Sequence, residues 1–310
     1  MKILVVGGTG LIGGHGALYF KDQGHDVTIM ARSKPKGTSA LNELPFIAGN
    51  YVEDDFSDGQ LNGFDWLVFA AGNDIRHLPE GSDETDHYTK SNVEAIPRIF
   101  EKAREAGISR TVYIGSFYPQ VVPEKIETSA YVKSRFLSDQ AVRALSTPDF
   151  NVCSLNAPIV VGSLPGLSVP HLEALVQYAK GQIPGFPVFA PEGGTNHITV
   201  KSLSEAMLGA LERGQSGKAY LVGDENLTWK EYLEEFFRGV GQETELEIRD
   251  EEHPMFPDMI LFAGRGATVS YEPDAEETAL LGYSRNNVKQ AIQEIVSLPQ
   301  RCIKFEFKTL

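Results

Sequence analysis

The sequence predicts an α/β protein: a doubly wound parallel sheet with a smaller C-terminal substrate lobe. Three observations carry that expectation. An apolar, β-branched run, Lys2-Ile3-Leu4-Val5-Val6, leads without a gap into Gly7-Gly8-Thr9-Gly10-Leu11-Ile12-Gly13. A short run of this kind bounded by glycine reads as a buried strand turning tightly into a helix. Apolar strands then alternate with helical segments as far as Val161, which is the rhythm of a parallel sheet. Beyond Gly162 the rhythm stops, and Pro165, Pro170, Pro184, Pro187 and Pro191 fall among glycines and aromatics.

Each element has a local reason. The first helix starts near Leu11 and turns Leu11, Ile12, Ala17, Leu18 and Phe20 to the sheet, and Gly24-His25 closes it. Asp26 to Ala31 is the second strand, Phe46 to Gly49 the third, and Asp65 to Gly72 the fourth. Thr85 to Ala106 is largely helical; Pro97 kinks it or marks a later start, and Gly107 stops it. Thr111 to Ser116 is the fifth strand, Ala130 to Leu145 a helix, and Asn151 to Val161 a sixth strand. In the lobe, about His171 to Lys180, Leu203 to Arg213 and Asn286 to Val296 are helical. Thr228 with Glu231 forms a capping box opening a helix to about Phe237. The expected division is residues 1–162 and 163–310, with part of the second returning to the first sheet. It agrees with a prior of about 150 residues per domain.

Composition narrows the function. The 42% hydrophobic and 23% charged fractions are those of an ordinary globular protein. No apolar stretch reaches the roughly 18 residues of a membrane span. The apolar N-terminus is too soon broken by glycine for a secretory signal, so a cytoplasmic location and no membrane partner are expected. A net charge of −14 without a basic cluster disfavours nucleic acid. Cys153 and Cys302 lie apart with no C-x-x-C and read as inert thiols. The seven histidines lack zinc spacing, so no metal is expected.

Gly7, Gly10 and Gly13 stand at G-x-x-G-x-x-G spacing between strand and helix. That context fits a dinucleotide pyrophosphate, which needs close backbone approach, free N–H groups and the positive end of a helix dipole. Thr9, Leu11 and Ile12 belong to the same turn. The second strand ends Ala31-Arg32-Ser33-Lys34, with no acid and two cations, which suits the 2′-phosphate of NADP over NAD. A plain solvated loop is the competing reading. Asn50 and Tyr51 stand at the tip of the third strand, where an adenine could lie, and Ala70-Ala71-Gly72 at the tip of the fourth.

Ser116 ends the fifth strand, while Tyr131 and Arg135 share a helix face four residues apart. A hydroxyl beside a phenol can hold a substrate oxygen, and the phenol can give or take the proton that accompanies hydride transfer. A fixed positive charge is needed to bring a phenol from pKa about 10 towards neutrality. Each residue also has a plain alternative: a turn cap, a core ring and a solvated cation.

On the glycine turn, Ala70-Ala71-Gly72, Asn92, Val112 to Ser116, Tyr131-Val132-Lys133-Ser134-Arg135 and Asn156-Ala157-Pro158-Ile159-Val160, the chain resembles the extended short-chain dehydrogenases/reductases, with an epimerase/dehydratase-like character. The resemblance covers about three-quarters of the chain. It implies a Rossmann domain binding NAD(P), Ser116 positioning substrate, Tyr131 as acid/base, and Asn92 supporting a proton-relay water. It also implies Pro158, Ile159 and Val160 along the nicotinamide, and a homodimer. The family motif is Tyr-x-x-x-Lys; here Arg135 stands where the lysine belongs, keeping the charge in a longer, planar group.

The leading expectation is an NADP-dependent oxidoreductase that interconverts a carbonyl and an alcohol on a small, largely apolar substrate. Gly162 to Pro191 holds one lysine, Lys180, and no arginine, where a nucleotide diphosphate would want clamps. Phe117, Phe186, Phe189, His197, Phe256, Met259 and Phe262 are candidate substrate walls. The alternatives are a nucleotide-sugar epimerase or dehydratase, with Arg265 as diphosphate contact, and a catalytically silent NADP-binding sensor.

Overall fold

The computed structural model describes residues 1–55, 57 and 59–299; Cys302 lies outside the described residues. In β1 (Lys2–Val6) successive side chains point to opposite faces, so Ile3 and Val5 enter one core and Leu4 and Val6 another. The chain continues through α1 (Leu11–Asp22), β2 (Asp26–Ala31), β3 (Phe46–Ala48) and β4 (Trp66–Phe69). The long helix expected over Thr85 to Ala106 is α2 (Glu84–Tyr88), a π-helical segment (Thr89–Glu94) and α3 (Ala95–Glu105). Pro97 falls in the first turn of α3, directly after the widened segment, where its missing donor is accommodated. It therefore marks the later start.

Next come β5 (Arg110–Ser116), α4 (Tyr118–Val121), α5 (Ala130–Ala144) and β6 (Asn151–Ala157). The single strand expected over Asn151 to Val161 is two, β6 and β7 (Ile159–Val161). Pro158 has no N–H to give a ladder, and the chain leaves the large sheet there. The remainder is α6 (Pro170–Ala179), β8 (Ala190–Pro191), β9 (Gly194–Thr199), α7 (Val200–Arg213), β10 (Ala219–Leu221), β11 (Glu225–Thr228), α8 (Trp229–Gly239), β12 (Ile248–Arg249), β13 (Thr268–Val269), α9 (Ala275–Leu281) and α10 (Val288–Ser297). The Thr228–Glu231 capping box at α8 forms as expected. Strands β8, β10, β12 and β13 are two or three residues long, too short to show as periodic runs in the sequence.

Seven strands form one parallel sheet in the order β10-β6-β5-β4-β1-β2-β3. The order reverses between β1 and β4, so a crevice opens beyond their C-terminal ends, the usual ligand site of such sheets. Helices α1 and α7 pack on one face through Ala17, Phe20, Leu203 and Met207. On the other face α3 and α5 pack through Ile96, Ile99, Phe100 and Val142. The lobe holds its own core, Leu172, Val176, Trp229, Leu233, Phe236 and Ile292 among its members, drawn from α6, α8 and α10. Its sheet is β11-β9-β13 with β7 also on β9, so the segment after Pro158 ties the lobe to the end of the large sheet. Among the described residues, no helix is long and apolar enough to cross a membrane.

Candidate active site

A cleft of about 1280 Å³ runs across the C-terminal ends of β1, β2, β4 and β5 and under the lobe. Its floor is the β1–α1 turn. Gly7 has φ +84°, and a Cβ there would stand 2.7 Å from the Ala71 amide nitrogen, so only glycine fits. Gly10 caps α1 without a side-chain bond, and no acid occupies the first turn. The positive end of α1 thus faces the cleft through Thr9, Gly10, Leu11 and Ile12.

Of the residues expected at a dinucleotide, Gly7, Thr9, Gly10, Leu11, Ile12, Arg32, Ser33, Asn50, Tyr51, Ala70, Ala71, Gly72, Pro158, Ile159 and Val160 line this cleft. Two do not. Gly13 faces back onto the turn, where a Cβ would stand 2.5 Å from the Gly7 carbonyl oxygen; it serves helix-to-turn packing. Lys34 is exposed beyond the cleft wall, where its charge stays hydrated. Tyr51 takes a hydrogen bond from Asn73 Nδ2 at 2.7 Å, and burial pushes its phenol up to about 12.

Ser116, Tyr131 and Arg135 come together on the opposite wall. Ser129 caps α5 by accepting from the Val132 amide, which sets Tyr131 in the first turn and Arg135 one turn on. From the end of β5 the Ser116 hydroxyl faces that of Tyr131 closely enough to pull its pKa down. The Arg135 guanidinium is 6% exposed, lies between the ends of β4 and β5, and donates from Nη2 to the Ile114 carbonyl at 2.7 Å. Its Cζ sits 5.2 Å from the centre of the Tyr113 ring, a cation–π contact. A Cβ on Gly72 would be 3.1 Å from Nη1, and Nε is buried without a partner. A buried donor left unmet beside an open cleft fits a polar ligand there. With the side-chain-free start of α1, it fits a dinucleotide.

Burial is the largest influence on Tyr131 and pushes its phenol above the usual value near 10. Arg135 opposes this, Asp74 adds to it, and Ser116 and Arg76 pull down. The net direction is upward. The expectation that the guanidinium brings this phenol towards neutrality is therefore corrected: desolvation outweighs it.

Asn92 is fully buried and lies behind the cleft wall. Its Nδ2 donates to the Asn73 carbonyl at 3.1 Å and to Ser134 Oγ at 3.2 Å, and its Oδ1 accepts from the Asn73 amide. It joins the π segment, the loop after β4 and α5.

The substrate wall differs most from expectation. Phe117, Phe256 and Phe262 line the cleft, but Phe186, Phe189, His197 and Met259 do not. Phe186 packs against the lobe core, and Phe189 is buried against His253. His197 is fully buried in β9 and stacked on Tyr232, where burial drives its pKa to about 3. Met259 is 52% exposed to solvent. Arg265 is bound to Asp258 on the surface and does not reach the cleft.

Several wall residues went unforeseen: Arg76, His171, Tyr118, Trp229 and Tyr232. Arg76 follows the tip of β4 and pairs with Asp74, with Nη1 3.5 Å from His171 Nδ1 across the cleft. Crowding by the cleft wall, with the Arg76 charge, lowers His171 to about 4 although the residue is exposed. Tyr118 stands two residues beyond Ser116, and the rule that ligands gather beyond strand C-termini could have found it and Arg76. Trp229 and Tyr232 had no local signal; the lobe carries them in.

The sequence profile described as the NAD dependent epimerase/dehydratase family matches residues 3–223. A putative dihydroflavonol 4-reductase of Synechocystis sp. (strain ATCC 27184 / PCC 6803 / Kazusa) is 25% identical over 247 residues, 72% of this chain and 68% of that protein. A UDP-glucose 4-epimerase of Neisseria meningitidis serogroup B (strain ATCC BAA-335 / MC58) is 24% identical over 249 residues, 68% of this chain and 73% of that one. Among solved structures, a UDP-glucose-4-epimerase from Stenotrophomonas maltophila with bound NAD and formylated UDP-arabinopyranose superposes with a TM-score of 0.72. It is 18% identical and the match covers 96% of this chain and 97% of that one, a likeness of fold. The two epimerases stand nearer to the epimerase alternative than to a reductase of a small apolar carbonyl, and the solved one holds NAD.

Proposed function

The chain belongs to the NAD dependent epimerase/dehydratase family, and on that premise we propose that it is a nicotinamide-dependent oxidoreductase of the short-chain dehydrogenase/reductase type, acting at a carbon that bears oxygen. The observation that carries this reading is the convergence of Ser116, Tyr131 and Arg135 on one wall of a cleft whose floor is the glycine turn. When bound, the nicotinamide supplies or accepts the hydride. Thr9 to Ile12 would hold its pyrophosphate, and Arg135 is the cation placed to hold the ribose. Arg32 and Ser33 at the end of β2 support NADP over the NAD seen in a structural relative.

Ser116 and Tyr131 hold the substrate oxygen by their hydroxyls. Tyr131 keeps its proton at neutral pH, because burial raises its pKa. A protonated phenol suits delivery to the oxygen of a carbonyl as the carbon is reduced. Solvent reprotonates it after the alcohol leaves.

Two observations bear on the substrate and point apart. The epimerases among the relatives favour a nucleotide sugar. The lobe wall favours an uncharged molecule: among the described residues, the lobe gives the cleft no lysine, arginine, aspartate or glutamate. The test is turnover of carbonyl compounds and of UDP-sugars by the wild type and Tyr131→Phe. Removing the general acid should cost about 100-fold or more in kcat and leave cofactor binding unchanged. A wild type that binds cofactor but turns over nothing returns the reading to a silent sensor.

A further inference from the structure

Arg135 is a buried cation without a buried anion. Among the described residues no carboxylate pairs with it; the acid one turn along α5, Asp139, is held by Arg143 at 2.6 Å and by Ser154. Taking a guanidinium out of water is costly unless something in the interior offsets it. Here the offset comes from β5, which turns the fully buried Tyr113 to the face that α3 and α5 cover. The Arg135 Cζ lies over that ring, 5.2 Å from its centre. The negative face of a desolvated ring attracts a cation strongly.

The ring is itself held in place. Phe69 and Phe100 pack against it with centroids 6.1 and 6.2 Å away. Ser138 gives its own proton to the Ser134 and Arg135 carbonyls, so its Oγ accepts from the Tyr113 hydroxyl at 2.9 Å. The two arms of the guanidinium are both accommodated. Nη2 donates to the Ile114 carbonyl, and Nη1 fills the space beside Gly72. A Cβ on Gly72 would meet Arg135 atoms and, among the described residues beyond its chain neighbours, no others within 4 Å. A lysine ends in a compact point charge and lacks the second arm.

We infer that Tyr113 is a positioning residue for Arg135: it does not line the cleft, yet it holds the guanidinium where the nicotinamide ribose should lie, and with the open space at Gly72 it makes arginine rather than lysine the cation that fits this site. This rests on the oxidoreductase reading above and explains how that reading survives the departure from Tyr-x-x-x-Lys. An arginine released from the ring must be ordered again each time the dinucleotide binds. Ordering one long side chain is worth about three- to tenfold in affinity.

The test is fluorescence titration with NADPH around double-mutant cycles. Tyr113→Leu should weaken NADPH about three- to tenfold in the wild type, and by no more than about twofold when Arg135→Gln is already present. Tyr113→Phe keeps the ring and should bind within about twofold of the wild type. Arg135→Lys keeps the charge and should still lose about three- to tenfold. Gly72→Ala, which disturbs no core residue, should weaken NADPH about threefold or more in the wild type and not when Arg135→Gln is present. A tyrosine that only fills the core would give equal losses with and without Arg135, and that result would overturn the inference. So would a Tyr113→Phe protein that binds as weakly as Tyr113→Leu, or an Arg135→Lys protein that binds as the wild type does. Equal losses for Gly72→Ala in both backgrounds would mean that the methyl meets the dinucleotide itself, and would overturn the part assigned to Gly72. Should Tyr113→Leu fail to fold, Tyr113→Phe, Arg135→Lys and the Gly72→Ala cycle decide. A wild type that binds neither NADPH nor NADH sinks the oxidoreductase reading and this inference with it, whereas binding without the coupling sinks this inference alone.

Discussion

Alanine at Gly10 and at Gly13 should have opposite consequences, although both glycines belong to one turn. A Cβ on Gly10 would have the Gly7 carbonyl oxygen at 3.5 Å as its nearest neighbour, and Gly10 already has extended backbone angles, φ −91° and ψ 174°. The fold accepts that methyl, at the cost of about 1 kcal/mol for an alanine at a helix N-cap. It projects where the pyrophosphate should lie, so dinucleotide affinity should fall tenfold or more, about 1.4 kcal/mol. A Cβ on Gly13 would stand 2.5 Å from that oxygen and 2.8 Å from the carbonyl carbon, both backbone atoms. Helix and turn must move apart, at about 1–3 kcal/mol, which lowers the melting temperature by roughly 3–10 °C. Thermal melts and fluorescence titration with NADPH and NADH measure both. A Gly10→Ala protein that binds dinucleotide as the wild type does would refute the placement of the anion, and a Gly13→Ala protein with unchanged melting temperature would refute the packing argument.

Other perturbations follow from the same geometry. Arg135→Gln removes a charge that pulls the Tyr131 pKa down, so the alkaline limb of carbonyl reduction, where a protonated phenol is required, should move to higher pH. Arg135→Lys should leave that limb close to the wild type, and pH profiles in which both variants coincide would contradict this. Arg32→Ala should weaken NADPH by about 10–100-fold while changing NADH little, since one charge-assisted bond is worth about 1.5–3 kcal/mol; equal losses for both would exclude a 2′-phosphate contact. His197 and His253 are buried and held at about 3 and about 4 by desolvation. Below pH 6.5 the unfolded chain takes up protons that the folded chain refuses, so stability should fall on acidification. At about 1.4 kcal/mol per pH unit, each costs about 2 kcal/mol by pH 5. Urea midpoints at pH 7 and pH 5 report this, His197→Gln should narrow the stability difference by about 2 kcal/mol, and equal midpoints would contradict the assignment.

The large sheet was legible because its signals are local. Glycine after an apolar run, a helix of period 3.6 and small residues at a strand tip each sit within one stretch of chain, and β1 through β5 fall where such signals place them. Pro158 was legible too: its missing donor ends a ladder, so the expected sixth strand divides there. The lobe's helices were legible by the same local signals, but its strand pairing was not, because β8 and β12 are two residues each and pair across more than fifty positions. Aromatic content alone could not separate Phe262 and Phe256, which line the cleft, from Phe186, Phe189 and Met259, which do not; burial in a core and exposure in a cleft draw on the same residue types. Arg135 was visible as a departure from Tyr-x-x-x-Lys, yet its effect depends on desolvation, which only the packed site reveals.

The central claim is that a nicotinamide dinucleotide crosses the opening turn with its reactive ring beside Tyr131. A crystal structure with NADP bound tests it most directly. The account predicts the pyrophosphate on the amides of Thr9 to Ile12, the ribose next to Arg135, and the nicotinamide facing the Tyr131 hydroxyl between Ser116 and Pro158. A dinucleotide bound elsewhere, or one whose nicotinamide lies away from that hydroxyl, would contradict it.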